Sequence, residues 1–106
     1  MSLPGLPEAL DALARRGELI SYGALARDLA VPGPGAIARL TEALEALMGE
    51  DAAAGCPFRA VLCRAKVGGG LPAPGFFEAA AILGRFDGTD PEGFVASERA
   101  ALFNQG

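Results

Sequence analysis

The fold is decided by the stretch GELISYGALA at residues 17–26, which continues as RDLAVPGPG to Gly35. Gly17 ends a preceding helical pattern, and the short, mostly apolar piece at residues 18–20 predicts a small strand. Ser21 is a typical N-cap, and apolar residues then recur at positions 22, 25, 26 and 29, which form one face of a helix. This order predicts the first half of a helix–turn–helix that ends in a tight Gly/Pro break.

Two further helices flank this stretch. Pro7 is common in the first turn of a helix, and apolar residues at positions 10, 13 and 14 keep helical spacing until Gly17. After the break, a longer helix is predicted from about Ala36 to Asp51. Its apolar stripe consists of Ile37, Leu40, Leu44, Leu47 and Met48, and its outer face carries Arg39, Glu42, Glu45 and Glu50.

The second half of the chain predicts one strand, a loop and two helices. Side chains that alternate between two faces from Phe58 to Lys66 predict the strand, and Gly68-Gly69-Gly70 predicts a turn. The proline-rich segment that follows cannot form a central strand. A short helix is predicted from Phe76 to Arg85, and Asp90 caps a last helix whose first residue is Pro91.

The resulting order is helix, strand, helix, helix, strand and Gly-rich loop, which is the outline of a winged helix with the loop as its wing. We therefore expect a mainly α fold with a small β-hairpin, plus two C-terminal helices. The 106 residues fit one domain. Within residues 1–106, the winged-helix-like core is expected at about 7–72 and a C-terminal helical extension at about 75–104.

Composition limits the function classes. The net charge is −4 and the pI about 4.7, which argues against strong non-specific nucleic-acid binding but leaves room for a local basic patch. No apolar run approaches the ~20 residues of a membrane span, and residues 1–17 lack the apolar core of a signal peptide, so we expect a cytoplasmic protein without membrane contact. Arg outnumbers Lys eight to one, which indicates a GC-rich bacterial gene.

Few residues offer catalysis or metal coordination. Cys56 and Cys63 are expected to be reduced thiols, and the chain has no histidine, so we expect no metal and no nucleophile with a histidine base. Gly33-Pro34-Gly35 formally fits a dinucleotide fingerprint but follows a helix instead of a strand, which favours a helix–helix turn. We expect no cofactor. An enzymatic role stays open but is not favoured, since only Cys56 offers a nucleophile.

The chain contains one segment whose only charges are positive. Between residues 52 and 77 there is no acidic residue, and the basic ones are Arg59, Arg64 and Lys66. A strand and wing with local positive charge are suited to holding backbone phosphates. The alternative is that these charges keep an edge strand soluble.

Three segments carry a family resemblance: residues 17–26, Pro34-Gly35-Ala36 at the start of an Ala-rich helix, and Cys56-Pro57-Phe58-Arg59-Ala60-Val61. Over about residues 17–70 they resemble the C-terminal winged-helix domain of the DNA alkylguanine alkyltransferases and the non-catalytic alkyltransferase-like proteins. The family has Pro-Cys-His-Arg-Val-Val at the third segment. Aligned on Arg59, Pro57 stands at the reactive-cysteine position and Phe58 at the histidine position.

The resemblance implies a winged helix and DNA contact, without alkyl transfer. The recognition helix would run from Ala36 to Met48, with Tyr22 and Arg39 near the duplex, and the three basic residues of the strand and wing would hold phosphates. We therefore expect a non-catalytic winged-helix module that contacts double-stranded DNA.

An alternative is a module for protein–protein interaction or homodimerisation with no nucleic-acid binding. The acidic pI favours it, and aromatic side chains in the C-terminal part would serve as interface anchors. The candidate anchors are Phe76, Phe77, Phe94 and Phe103.

Overall fold

The computed structural model describes residues 3–66 and 69–104. Within them the predicted mainly helical fold with a small β element is confirmed. The elements are α1 (Leu6–Arg16), β1 (Ile20–Ser21), α2 (Tyr22–Asp28), α3 (Ala36–Ala54), a 3-10 helix (Arg59–Leu62), β2 (Cys63–Arg64), α4 (Pro74–Ile82) and α5 (Pro91–Phe103). Gly68 of the predicted wing tip lies outside the described residues.

Local signals in the sequence account for most helix ends. Gly17 adopts a left-handed conformation with φ 66°, and its amide bonds to carbonyls of the last turn of α1. The hydroxyl of Ser21 accepts a hydrogen bond from the amide of Ala24 at the start of α2. The carboxylate of Asp90 caps α5 in the same way, accepting from the amide of Gly93. These three caps fix the end of α1 and the starts of α2 and α5.

The two short strands pair in parallel, with Ile20 opposite Cys63 and Ser21 opposite Arg64. The hairpin expected from the sequence is therefore replaced by a parallel pair. The physical reason is connectivity, because α2 and α3 lie between the two strands and return the chain in the same direction. The pair places Arg64 beside the residue that precedes Tyr22.

The predicted strand from Phe58 to Lys66 is reduced to two residues, because a 3-10 helix takes its first half. Alternation does not hold here, since residues 60–63 are all buried. The backbone is also engaged by side chains: the amide of Arg59 bonds to Asp51, and the carbonyl of Val61 bonds to Arg99. Backbone groups used in this way are not free for a longer strand ladder.

The core lies between α1, α3 and the 3-10 helix, and α5 closes it by packing on α1 and on the 3-10 helix. Phe58 is fully buried at its centre, with the Phe76 ring edge-on at a centroid distance of 6.0 Å. Side chains of α4 and α5 belong to the same buried cluster as those of α1 to α3. The C-terminal helices are therefore docked on the rest of the chain.

Candidate nucleic-acid interface

Tyr22 is the first residue of α2, and its side chain is half-buried. Its phenolic oxygen accepts a hydrogen bond from the amide of Ala73 at 2.9 Å, which ties α2 to the segment just before α4. Burial raises the pKa of Tyr22 to about 12, so the group is neutral at pH 7. The predicted contact residue is therefore a fixed neutral side chain.

Tyr22 also lines a small pocket of about 110 Å³. Residues of α3 form much of its lining, from Ile37 in the first turn to Met48 in the fourth, and Phe76 of α4 also contributes. The lining is mostly apolar and consists of Tyr22, Ile37, Thr41, Leu44, Glu45, Met48, Ala60, Ala73, Gly75 and Phe76. No cysteine is among these residues, so the pocket has no thiol.

The first turn of α3 contains no acidic residue, although α3 is the most acidic helix further along. Ile37 is 48% exposed there. Arg39, two residues after Ile37, is also exposed, and its Nη1 donates a hydrogen bond to the carbonyl oxygen of Pro32 at 3.0 Å. This contact uses one nitrogen of the guanidinium, so the remaining donors of Arg39 face solvent.

Arg64 and Lys66 lie on and just after β2, at the base of the loop that we call the wing, defined as residues 64–66 and 69–73. Both side chains are exposed. Neither belongs to the ion pairs formed within residues 3–66 and 69–104. Of the three basic residues between positions 52 and 77, these two therefore have no carboxylate partner among the ion pairs of the described residues.

Arg59, by contrast, is held by carboxylates. Its Nη2 lies 2.9 Å from Oδ1 of Asp51, a buried side chain, and its Nη1 lies 3.4 Å from Oδ1 of Asp11. Burial alone lowers the pKa of Arg59, but the hydrogen bonds and charges of the two carboxylates raise it above its usual value. Arg59 therefore joins α1, α3 and the 3-10 helix, and few of its N–H donors remain for a phosphate.

Asp51 was missed as a partner in the sequence, although a signal was present. It continues the apolar stripe of α3 at helical spacing from Leu44, Leu47 and Met48. A carboxylate on a buried stripe requires a cationic or multiple hydrogen-bond partner. The cation nearest to Asp51 in the sequence is Arg59, which the sequence pattern had assigned to phosphate contact.

Arg99 of α5 is a second residue that sequence periodicity did not indicate. Its Nε donates to the carbonyl of Val61 and its Nη2 to the carbonyl of Gly70, both at 2.8 Å. Burial lowers the pKa of Arg99, which is close to Tyr22 and Cys63. Burial also raises the pKa of the Cys63 thiol to about 12, so neither neighbour supplies a negative charge at pH 7.

The segment that resembles the family's reactive motif is anchored by α5. The amide of Phe58 donates to Oε1 of Glu98 at 2.9 Å, and Arg85 donates to the same oxygen at 3.0 Å. The guanidinium of Arg85 also lies 4.4 Å from the centroid of the Phe58 ring. Cys56 is exposed in a separate depression near the C-terminal end of α3. Glu98 and Arg85 therefore stabilise this segment.

No protein-family model, no curated protein and no solved structure matches the chain.

Within residues 3–66 and 69–104, no helix is long and apolar enough to cross a membrane. No group of three or more His, Cys, Asp or Glu side chains in that part of the chain is arranged to hold a metal ion.

The phenylalanines proposed as interface anchors contribute to the core. Phe76 is buried, and the other three are half-buried and packed against the core cluster. The large apolar side chains exposed in the described segments are instead Ile37, Ile82 and Leu83. An interface built on the phenylalanines is therefore not supported by their exposure.

Proposed function

We propose that the protein is a non-catalytic DNA-binding module in which the first turns of α3 and the wing face the duplex. The observation that carries this proposal is the position of Tyr22. It lines the pocket together with α3 residues from Ile37 to Met48, and it accepts a hydrogen bond from Ala73 at the end of the wing. This link between the wing and the pocket beside α3 supports a contact surface that the two share.

Phosphate contacts come from three cations in this proposal. Arg64 and Lys66 are exposed on the wing, and Arg39 is exposed near the start of α3. The N-terminus of a helix also carries a positive partial charge, which α3 does not cancel, because its first turn has no acidic residue. Arg59 is left out, since its guanidinium is occupied by Asp51.

Carboxylates limit how much of α3 approaches DNA. Glu42 and Glu45 are exposed just beyond the first turns, and Glu50 is exposed near the other end. Phosphates would be repelled along this face, so a helix lying along the groove for its whole length is disfavoured. With a net charge of −4, we expect weak binding that depends steeply on salt.

The resemblance to alkyltransferase-like proteins supports testing a modified base. The pocket beside Tyr22 is small and mostly apolar, with Thr41 and Glu45 as its polar lining residues besides the tyrosine, and it contains no thiol. Cys56 lies in the depression at the opposite end of α3, and Cys63 is buried. Recognition of an apolar substituent without its covalent transfer is the role that these residues support.

The test is fluorescence anisotropy with a labelled duplex, with and without an alkylated guanine, from about 50 to 200 mM salt. Three phosphate contacts predict that log K falls against log[salt] with a slope of about −2.7, taking about 0.9 per contact. Arg64→Ala and Lys66→Ala should each reduce the slope by about 1. A preference for the alkylated duplex would support recognition through the pocket.

The matched control is Arg15→Ala. Arg15 is an exposed arginine beside the C-terminal end of α3, so its loss removes the same charge far from the wing. If Arg15→Ala changes the slope as much as Arg64→Ala does, the effect reflects total charge and the proposed surface is wrong. Absence of binding at the lowest salt would also reject the proposal.

A second candidate function, binding of a protein partner, is favoured by one observation. Ile82 at the end of α4 is 86% exposed, and the adjacent Leu83 is 37% exposed. Sedimentation velocity over a concentration series compares the wild-type chain with Ile82→Ser. Self-association that is lost in Ile82→Ser supports this function, and a monomer at every concentration counts against homodimerisation.

A further inference from the structure

Arg99 connects two parts of the chain that are far apart in sequence. Val61 is 38 residues from it and Gly70 is 29 residues from it, and the guanidinium donates to both carbonyls at 2.8 Å. Arg99 takes part in none of the ion pairs found in the described segments. Its charge is therefore satisfied by backbone oxygens.

The two carbonyls belong to different structural units. Val61 is fully buried in the 3-10 helix at the centre of the core, whereas Gly70 lies in the wing and is half-buried. A guanidinium is planar and presents its donors in a fixed fork, so it holds both acceptors in one geometry. Charge-assisted hydrogen bonds are also stronger than those between neutral groups. Arg99 thus links the wing to the core.

Two further hydrogen bonds, both between neutral groups, hold the wing in place. The amide of Ala65 donates to the carbonyl of Leu71 at 2.8 Å, which closes the base of the wing on itself. The amide of Ala73 donates to Tyr22, which attaches the end of the wing to α2. Arg99 supplies the bond from the wing to the buried 3-10 helix.

The surroundings of Arg99 explain why it does not pair with an anion instead. Tyr22 and Cys63 are the titratable groups that act on the pKa of Arg99, and burial raises the pKa of each of them to about 12. Both are neutral at pH 7. A half-buried cation in this position needs acceptors, and the two carbonyls are the acceptors that it has.

We propose that Arg99 is a positioning residue that holds the wing on the core through Val61 and Gly70 and so sets where Arg64 and Lys66 meet DNA. The DNA part of this inference rests on the proposed function, whereas the mechanical part does not. α5 would then influence binding from the C-terminal end of the chain, although none of its residues is among the proposed contacts.

Hydrogen exchange read by NMR tests the mechanical part. Arg99→Met keeps an unbranched stem and removes both donors, so the amides of Ala65 and Ala73 should exchange about tenfold faster or more. Arg99→Lys keeps the charge and can reach one carbonyl, so it should restore part of the protection. Amides in the middle of α3 should not change their rates relative to wild type. Arg15→Met is the matched control and should leave the wing unchanged.

The outcomes separate the two proposals. If wing amides exchange at the wild-type rate in Arg99→Met, or if α3 and the wing are accelerated equally, Arg99 has no positioning role. If Arg99→Met does not fold, the same comparison is made with Arg99→Lys. Selectively faster exchange of the wing amides in Arg99→Lys would then support the inference, and wild-type exchange rates at the wing would overturn it.

DNA binding is then measured by anisotropy on the same variants. Faster wing exchange together with a shallower salt slope supports both proposals. Faster wing exchange with an unchanged slope supports the positioning role and counts against the wing as a DNA contact. We expect Arg99→Lys to restore the salt slope in proportion to how far it restores slow exchange of the wing amides. A residue that only maintained the overall fold would not produce this correlation.

Discussion

Replacing Arg59 with methionine removes a guanidinium from a buried carboxylate while keeping an unbranched side chain. In the wild-type chain, Oδ1 of Asp51 accepts from Nη2 of Arg59 at 2.9 Å and from Nε at 3.2 Å, and Oδ2 accepts from the backbone amide of residue 59 at 3.0 Å. The Asp51 side chain is only 5% exposed. Arg59→Met would leave that carboxylate with the backbone amide as its donor.

The cost follows from burial. Removing one partner of a buried ion pair typically costs 3–5 kcal/mol, since the remaining charge is uncompensated. Arg59 is 21% exposed and the backbone amide stays in place, which argues for the lower end, about 3 kcal/mol. Asp11 contributes less, because its side chain is 48% exposed and lies 3.4 Å away, so Asp11→Ala should cost about 0.5 kcal/mol.

The assay is urea unfolding at pH 7 followed by far-ultraviolet circular dichroism. With an m-value of about 1.5 kcal/mol per molar urea, a loss of about 3 kcal/mol lowers the midpoint by about 2 M. Arg16→Met is the matched control, because Arg16 pairs with Glu18 at the same 2.9 Å but both side chains are 56% exposed. That pair should contribute less than about 1 kcal/mol.

One result would refute this reasoning. If Arg59→Met and Arg16→Met lower the free energy of unfolding equally, the pair of Arg59 with Asp51 behaves as a surface pair, and Arg59 is available to DNA. The salt slope of DNA binding provides an independent check. It should be unchanged in Arg59→Met, measured under conditions where the variant is folded, and reduced in Arg64→Ala.

Three further predictions concern buried groups. Phenolate absorbance should show that the lone tyrosine, Tyr22, ionises near pH 12 in the folded protein and near pH 10 in urea. Because the unfolded chain loses this proton at lower pH than the folded chain, the free energy of unfolding should fall as pH rises from 10 to 12. A thiol reagent at neutral pH should label Cys56 alone in the folded chain and both thiols in urea, because Cys63 is fully buried; labelling of both when folded would contradict its burial. Glu98→Gln should lower the free energy of unfolding by about 1–2 kcal/mol, because it removes the negative charge that strengthens both hydrogen bonds to Oε1 and that pairs with Arg85. The exposed Glu92→Gln should stay within about 0.5 kcal/mol.

The parts of the fold that follow from local chemistry were predictable from the sequence. The break at Gly17, the cap at Ser21 and the cap at Asp90 with Pro91 after it are each decided within a few residues, and each is present. The order of helices and strands follows from these signals. Helix boundaries were less accurate, since α3 extends to Ala54 and α4 begins at Pro74.

The parts that depend on distant side chains were not predictable. A buried run from residue 60 to residue 63 has no period that distinguishes a strand from a 3-10 helix, and the deciding hydrogen bonds come from Asp51 and Arg99. The same applies to the direction of strand pairing, which depends on how α2 and α3 return the chain. Helical spacing marks Asp51 as a buried carboxylate that needs a partner, but it does not indicate which backbone groups Asp51 and Arg99 bind.

The basic residues of the segment from 52 to 77, which one sequence pattern grouped together, divide into two kinds in the structure. Arg59 is neutralised within the protein by carboxylates, so its charge acts on stability. Arg64 and Lys66 have no carboxylate partner among the described ion pairs, so their charge is available to a ligand. Arg99, outside that segment, is a third kind, because it is bound by carbonyls and keeps its charge next to the wing. An acidic protein can therefore present a positive surface locally, provided that its internal carboxylates are matched to cations elsewhere.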